Sequence, residues 1–156
     1  MPLFIKTLLL LSVFSLFSTI SFCQPTSTEK TIKVPSEFVI PLGALYSSNL
    51  FYWYWRVVSN CRHLTDREIY GFPIAKIINS NKIKIKLKEL GDAYEKDIYK
   101  NKSQLITQNK KSGTVKQDVY FIVKSKNIID EIDKFISKIY SMSEKELDFI
   151  INYDIK

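Results

Sequence analysis

The amino-acid sequence predicts an α+β fold, mainly helical, with a long buried aromatic helix, a basic loop, amphipathic helices and a short strand pair. Three observations lead there. Ile128, Ile129, Ile132, Phe135, Ile136 and Ile139 trace one continuous stripe at helical spacing, the pattern of an amphipathic helix. Residues 42–58, LGALYSSNLFYWYWRVV, are apolar nearly all round, and a helix without a polar face is a buried one. Residues 115–123 gather Val119, Tyr120, Phe121, Ile122 and Val123, which are good strand formers. A chain of 156 residues makes one domain at most, with room for a short appendage. Hydrophobic content of 46% and aromatic content of 13% suffice for a packed core and exclude global disorder.

Residues 1–25 form an apolar leader. Lys6 precedes an uncharged apolar run over residues 7–22, and Ser21, Phe22 and Cys23 stand before Gln24 as a candidate cleavage site. That is the layout of a secretory signal peptide. The run is short for a membrane span, which needs ~20 apolar residues. The other reading is a buried helix left from upstream sequence. Residues 25–29, PTSTE, are a polar break, and the domain proper is placed at 26–156. Residues 31–34 predict a short strand before Pro35. Ser36 can cap a helix, in which Pro41 is either tolerated in the first turns or delays the start.

Within 42–58, a buried strand over 50–55 is an alternative to helix that periodicity cannot separate, and length favours the helix. Five successive aromatics, Phe51 to Trp55, could stack on unpaired bases. On a helix they point in every direction, so core packing is the expectation for most of them. The chain then changes character. Residues 48–74, SNLFYWYWRVVSNCRHLTDREIYGFPI, hold both tryptophans, the single histidine His63 and all the arginines: Arg56, Arg62 and Arg67. Every other one of the 23 basic residues is a lysine. Arginine presents a rigid planar donor fork that lysine lacks. Asn60, Arg62, His63, Thr65 and Arg67 are therefore the candidate contacts to base edges and phosphates. Thr65 and Glu68 have capping-box spacing, which would make a rigid platform for Arg62 and Arg67.

Residues 82–88, KIKIKLK, alternate like a strand, yet Ile83, Leu87, Leu90, Tyr94 and Ile98 follow helical spacing over a longer span. A helix over 80–100 is expected, with Gly91 an unfavourable member. Its Lys82, Lys84, Lys86 and Lys88 are candidate phosphate contacts. Residues 82–111 carry nine lysines against four acids, the composition of either a salt-sensitive phosphate-binding face or a solvated one. Residues 108–114 read as a loop. Ser143 and Glu146 form a capping box opening a last helix. Residues 127–156 carry seven acids and four lysines, so this end serves packing.

A formal charge of +7 and a pI near 9.3 favour an anionic partner. Cys23 and Cys61 are too few for a disulfide framework or a metal cluster. His63 beside Cys61 lacks further ligands in reach, which argues against zinc, and a Cys–His nucleophilic pair lacks an orienting group. No glycine-rich nucleotide loop and no nucleophile motif occurs in the sequence.

Residues 47–74, SSNLFYWYWRVVSNCRHLTDREIYGFPI, resemble the TaqI-like C-terminal specificity region of adenine-specific DNA methyltransferases of type II restriction–modification systems. The resemblance extends to TSTEKTI at 26–32, SKNIIDEIDKFISKIY at 125–140 and SEKELDFIINYDIK at 143–156. It implies a DNA target-recognition domain whose partner is double-stranded DNA, in the cytoplasm and with no membrane role. In such enzymes an upstream or separate methyltransferase catalytic domain carries an S-adenosylmethionine loop and an Asn-Pro-Pro-Tyr/Phe motif. Neither is in this sequence, so the resemblance implies no cofactor in this chain and no methyl transfer by this chain alone. The alternative is a small exported, non-enzymatic protein with a cleaved leader.

Overall fold

The structure is a computed structural model and describes residues 8–12, 17–23, 30–60, 64–109 and 113–153. Three strands come first: β1 (Leu8–Ser12), β2 (Phe17–Cys23) and β3 (Lys30–Pro35), an antiparallel meander in chain order. The described parts of the apolar run, residues 8–12 and 17–22, are strand rather than the buried helix of the other reading, and Ile20 of β2 stands opposite Ile32 of β3. β3 matches the expected strand, and Pro35 ends it by feeding straight into α1 (Ser36–Tyr46). Pro41 lies inside α1. Its missing N–H removes a hydrogen bond from the helix interior, and the packing of Leu42 and Leu45, 4% and 0% exposed, offsets that loss.

The aromatic helix is not continuous. It divides at Ser47 and Ser48 into α1 and α2 (Asn49–Val58). Ser48 is the pivot: its hydroxyl donates to the Leu45 carbonyl at 2.6 Å and accepts from the Phe51 N–H at 3.0 Å. A helix start leaves backbone N–H groups without intrahelical partners. Here Asp133, buried and 84 residues away from Asn49, accepts the N–H groups of Asn49 and Leu50, each at 3.1 Å, and the Asn49 side-chain amide at 2.8 Å.

Of the five aromatics, Phe51 is buried and Tyr52, Trp53, Tyr54 and Trp55 are half-buried. Phe51 meets Tyr46 edge-on at 4.7 Å and Phe72 at 5.3 Å, and Tyr54 meets Phe72 at 5.0 Å. Such pairs contribute ~0.5–1.5 kcal/mol each beyond area burial. They tie α2 to the end of α3 (Asp66–Gly71). A short α4 (Ala75–Ile78) follows, then α5 (Asn81–Lys100), whose N-cap Ser80 accepts from the Ile83 N–H at 3.5 Å.

Gly91, unfavourable by propensity, is explained by packing. A Cβ there would stand 2.6 Å from Ile40 Cγ2 and 3.0 Å from the Ile40 carbonyl oxygen, so its absence lets α1 and α5 approach closely.

Two strands, β4 (Lys102–Asn109) and β5 (Gly113–Tyr120), make a second antiparallel pair. Of the expected loop over 108–114, residues 108–109 and 113–114 belong to the strands, and 110–112 lie outside the described residues. The expected strand over 115–123 begins earlier and stops at Tyr120, after which Ile122–Ser125 is a 3-10 turn. The stripe beginning at Ile128 becomes α6 (Lys126–Ile139), with Ile132 and Ile136 fully enclosed. α6 closes with Ser141 in the left-handed region at φ 57° and the Met142 N–H bonded to the Ser137 carbonyl at 2.9 Å, a Schellman closure. α7 (Glu144–Ile151) opens with the expected Ser143–Glu146 capping box. One core joins Leu45, Ile69, Ile77, Leu87, Ile132, Ile136 and Ile150. Burying each such side chain contributes ~1.5–3 kcal/mol.

Candidate nucleic-acid interface

The segment after α2 is held from both sides. Tyr54 and Phe72 pack against each other before and after it, and Leu64 within it is buried. Asn60 is exposed just beyond α2. Arg62 and His63 lie outside the described residues. Thr65 caps α3, and the buried Glu68 carboxylate accepts its N–H at 2.8 Å and its hydroxyl as well. Burial works to raise the Glu68 pKa. The hydrogen bonds from Thr65 and the Arg67 charge outweigh it, and the carboxyl is held below its ordinary range.

Arg67 is largely exposed, at 74%, yet one guanidinium nitrogen is engaged within the molecule. Its Nη2 donates to the Val58 carbonyl at 2.6 Å and to Glu68 Oε1 at 3.2 Å. Val58 ends α2, and a cation at a helix C-terminus is favourable. Arg67 therefore staples α2 to α3 while its outer edge faces solvent.

The four lysines of α5 do not share a face. Alternate residues on a helix lie about 200° apart, so Lys82 and Lys86 take one flank and Lys84 and Lys88 the other. Lys84 turns toward α1, 3.6 Å from Glu37 Oε1 and 4.7 Å above the Phe38 ring. Lys86 pairs with Glu89 at 2.9 Å and Lys88 with Asp92 at 2.8 Å. Lys82 is exposed. Exposed pairs of this kind contribute little to stability, but they offset the charge of α5.

A second lysine-rich stretch lies further on. Residues 100–126 hold seven lysines against the single acid Asp118. They span the end of α5, the β4–β5 hairpin and the start of α6. A composition window over 82–111 hides this, because it mixes the acids of α5 with the lysines of the hairpin. Every side chain from Lys102 to Ile106 is exposed, as are those of Gln108, Thr114 and Asp118.

Among the described residues, no group of three or more His, Cys, Asp and Glu is placed to hold a metal ion. No helix among them is long and apolar enough to cross a membrane. No protein-family model, curated protein or solved structure matches the chain.

Proposed function

We propose that this chain is a DNA target-recognition domain acting with an adenine methyltransferase catalytic domain. The observation that carries the reading is the anchoring of α2 and α3 on either side of residues 59–65. Two anchored helices bracket them, one tied into the core by Phe51 and Phe72, the other fixed by the Thr65–Glu68 capping box. A side chain that reads a base must arrive in a fixed position, and rigid flanking elements supply that. Asn60, Arg62, His63, Thr65 and Arg67 are the candidate readers, with Lys82 and its neighbours on α5 as supplementary phosphate contacts. The net charge of +7 supplies long-range attraction to the duplex. Extrusion of the adenine and methyl transfer belong to the catalytic domain, with its S-adenosylmethionine. The resemblance to specificity regions of restriction–modification enzymes agrees with this division of labour and with a cytoplasmic location.

The test is equilibrium binding of the whole chain to a fluorescent mixed-sequence duplex over a range of potassium chloride concentrations. Affinity is expected to fall linearly on logarithmic axes, with a slope of about −0.9 per phosphate contacted. A flat salt response, or no association at low salt, overturns the proposal.

A further inference from the structure

β4 and β5 pair in an unbroken register from Lys102↔Tyr120 to Asn109↔Gly113. The hairpin leaves α5 through Asn101, whose amide closes the helix by donating to the Asp97 carbonyl at 2.9 Å. At its root Tyr120 meets Tyr99 edge-on at 6.0 Å, and Lys102 pairs with Asp118 at 2.8 Å. Beyond the root, the described side chains on both faces of the ribbon are exposed, including Leu105 and Ile106 at 52% and 58%. A two-stranded ribbon is marginal by itself in water and carries open edges. Such an element is stabilised by what it contacts.

Charge identifies that contact. Residues 100–126 combine seven lysines and one acid with Ser, Thr, Asn and Gln side chains, which donate hydrogen bonds without adding negative charge. By register, Lys102, Gln104, Ile106 and Gln108 share one face with Thr114, Asp118 and Tyr120, while Ser103, Leu105 and Val119 share the other. The first face is the more polar. Duplex DNA carries one negative charge per ~1.7 Å of axis. Its major groove, ~12 Å wide and ~8.5 Å deep, admits a two-stranded ribbon. Eight residues at ~3.3 Å each make each strand long enough to span that depth.

We propose that the β4–β5 hairpin is a DNA-contacting arm that enters the major groove. Lys100, Lys102 and Lys124 at its root meet phosphates, and the amides of Gln104 and Gln108 face base edges. Glutamine is one of the side chains that can pair in bidentate fashion with adenine. The inference rests on the reading of the chain as a DNA-binding domain and adds a second contact surface to it. A protein partner would be drawn to Leu105 and Ile106, but these neighbours in β4 fall on opposite faces of the ribbon, whereas Lys100, Lys102 and Lys124 all lie at its root.

The experiment uses the whole chain and a mixed-sequence duplex in fluorescence anisotropy across potassium chloride concentrations. One variant carries Lys100→Gln, Lys102→Gln and Lys124→Gln. A comparison variant carries Lys82→Gln, Lys86→Gln and Lys88→Gln on α5. Thermal unfolding by circular dichroism verifies that both retain the fold. The hairpin variant is expected to have a salt slope shallower by about 2–3, and the α5 variant, whose Lys86 and Lys88 already pair with Glu89 and Asp92, one shallower by only about 1. A loss of slope confined to the α5 variant overturns the arm and leaves the DNA-binding reading intact. An unmodified chain that fails to bind the duplex at low salt overturns both.

Discussion

Asp133→Ala is expected to lower the free energy of unfolding by about 2–5 kcal/mol, because two buried backbone donors would lose their acceptor. Those donors are the N–H groups of Asn49 and Leu50, both 3.1 Å from the Asp133 carboxylate, and the Asn49 side chain adds a third bond at 2.8 Å. They open α2 at the point where the chain turns out of α1, so the substitution loosens the whole aromatic arm. Asp133→Asn should cost less, since its single oxygen replaces only part of the carboxylate. Chemical unfolding followed by circular dichroism checks the order: alanine most destabilised, asparagine between, aspartate most stable.

The same residue sets a pH dependence. Burial drives the Asp133 carboxyl from its ordinary 3.8 up to about 6; the Leu50 and Asn49 donors pull it back, and the Asp130 charge adds to the rise. A folded-state value above the unfolded one means that the folded chain binds the extra proton. Its contribution is fully present below pH ~4 and is lost as pH rises through about 6, roughly 3 kcal/mol in all. The stability difference between the unaltered chain and Asp133→Asn should therefore shrink between pH 4 and 6. Glu68, held below its ordinary range, contributes with the opposite sign. Comparison of the two proteins cancels that background.

Gly91→Val is the second large effect. Two branches would enter a space where even a Cβ stands 2.6 Å from Ile40 Cγ2 and 3.3 Å from the Ala44 Cβ. Overpacking of a core typically costs ~1–3 kcal/mol. At Gly91 the obstruction includes the Ile40 carbonyl at 3.0 Å, which is backbone, so α1 and α5 must move apart as units. The expected loss is about 3 kcal/mol or more, at the upper end of that range. Gly91→Ala opposes two terms: a gain of ~1 kcal/mol in helix propensity and the contact with Ile40. The contact is expected to prevail, giving a net loss of about 1 kcal/mol in chemical unfolding. A gain in stability on either substitution would mean that α1 and α5 do not lie this close.

What the sequence made legible follows from how local each cause is. The capping boxes at Thr65–Glu68 and Ser143–Glu146 need only three residues of spacing, and both are present. The stripe of α6 and the span of α5 follow from periodicity alone. The break between α1 and α2 was not legible, because its other half is Asp133, on α6. In a run apolar on every side, no period marks where one helix stops. β4 was not legible because KSQLITQN holds only two apolar residues, Leu105 and Ile106, side by side and without alternation.

The candidate site divides the same way. The capped turn at Thr65 could be read from its spacing. The engagement of Arg67 with the Val58 carbonyl could not, since it depends on how α2 and α3 meet. KIKIKLK invites a picture of one lysine face, but a helix turns successive lysines to opposite flanks. There Lys84, Lys86 and Lys88 find Glu37, Glu89 and Asp92. The hairpin was present in the composition all along, as seven lysines around one aspartate. The exposure of residues 102–106 on the ribbon, and of Lys100 and Lys124 beside it, depends on the tertiary structure.

The most direct measurement is selection of bound sequences from a pool of randomised DNA duplexes by the whole chain. Sequence-directed binding predicts repeated enrichment of one short motif over successive rounds. Replacement of Arg62 by alanine should relax preference at one position of that motif, by ~1–3 kcal/mol for a bidentate contact. A pool that stays random after selection at low salt would contradict target recognition.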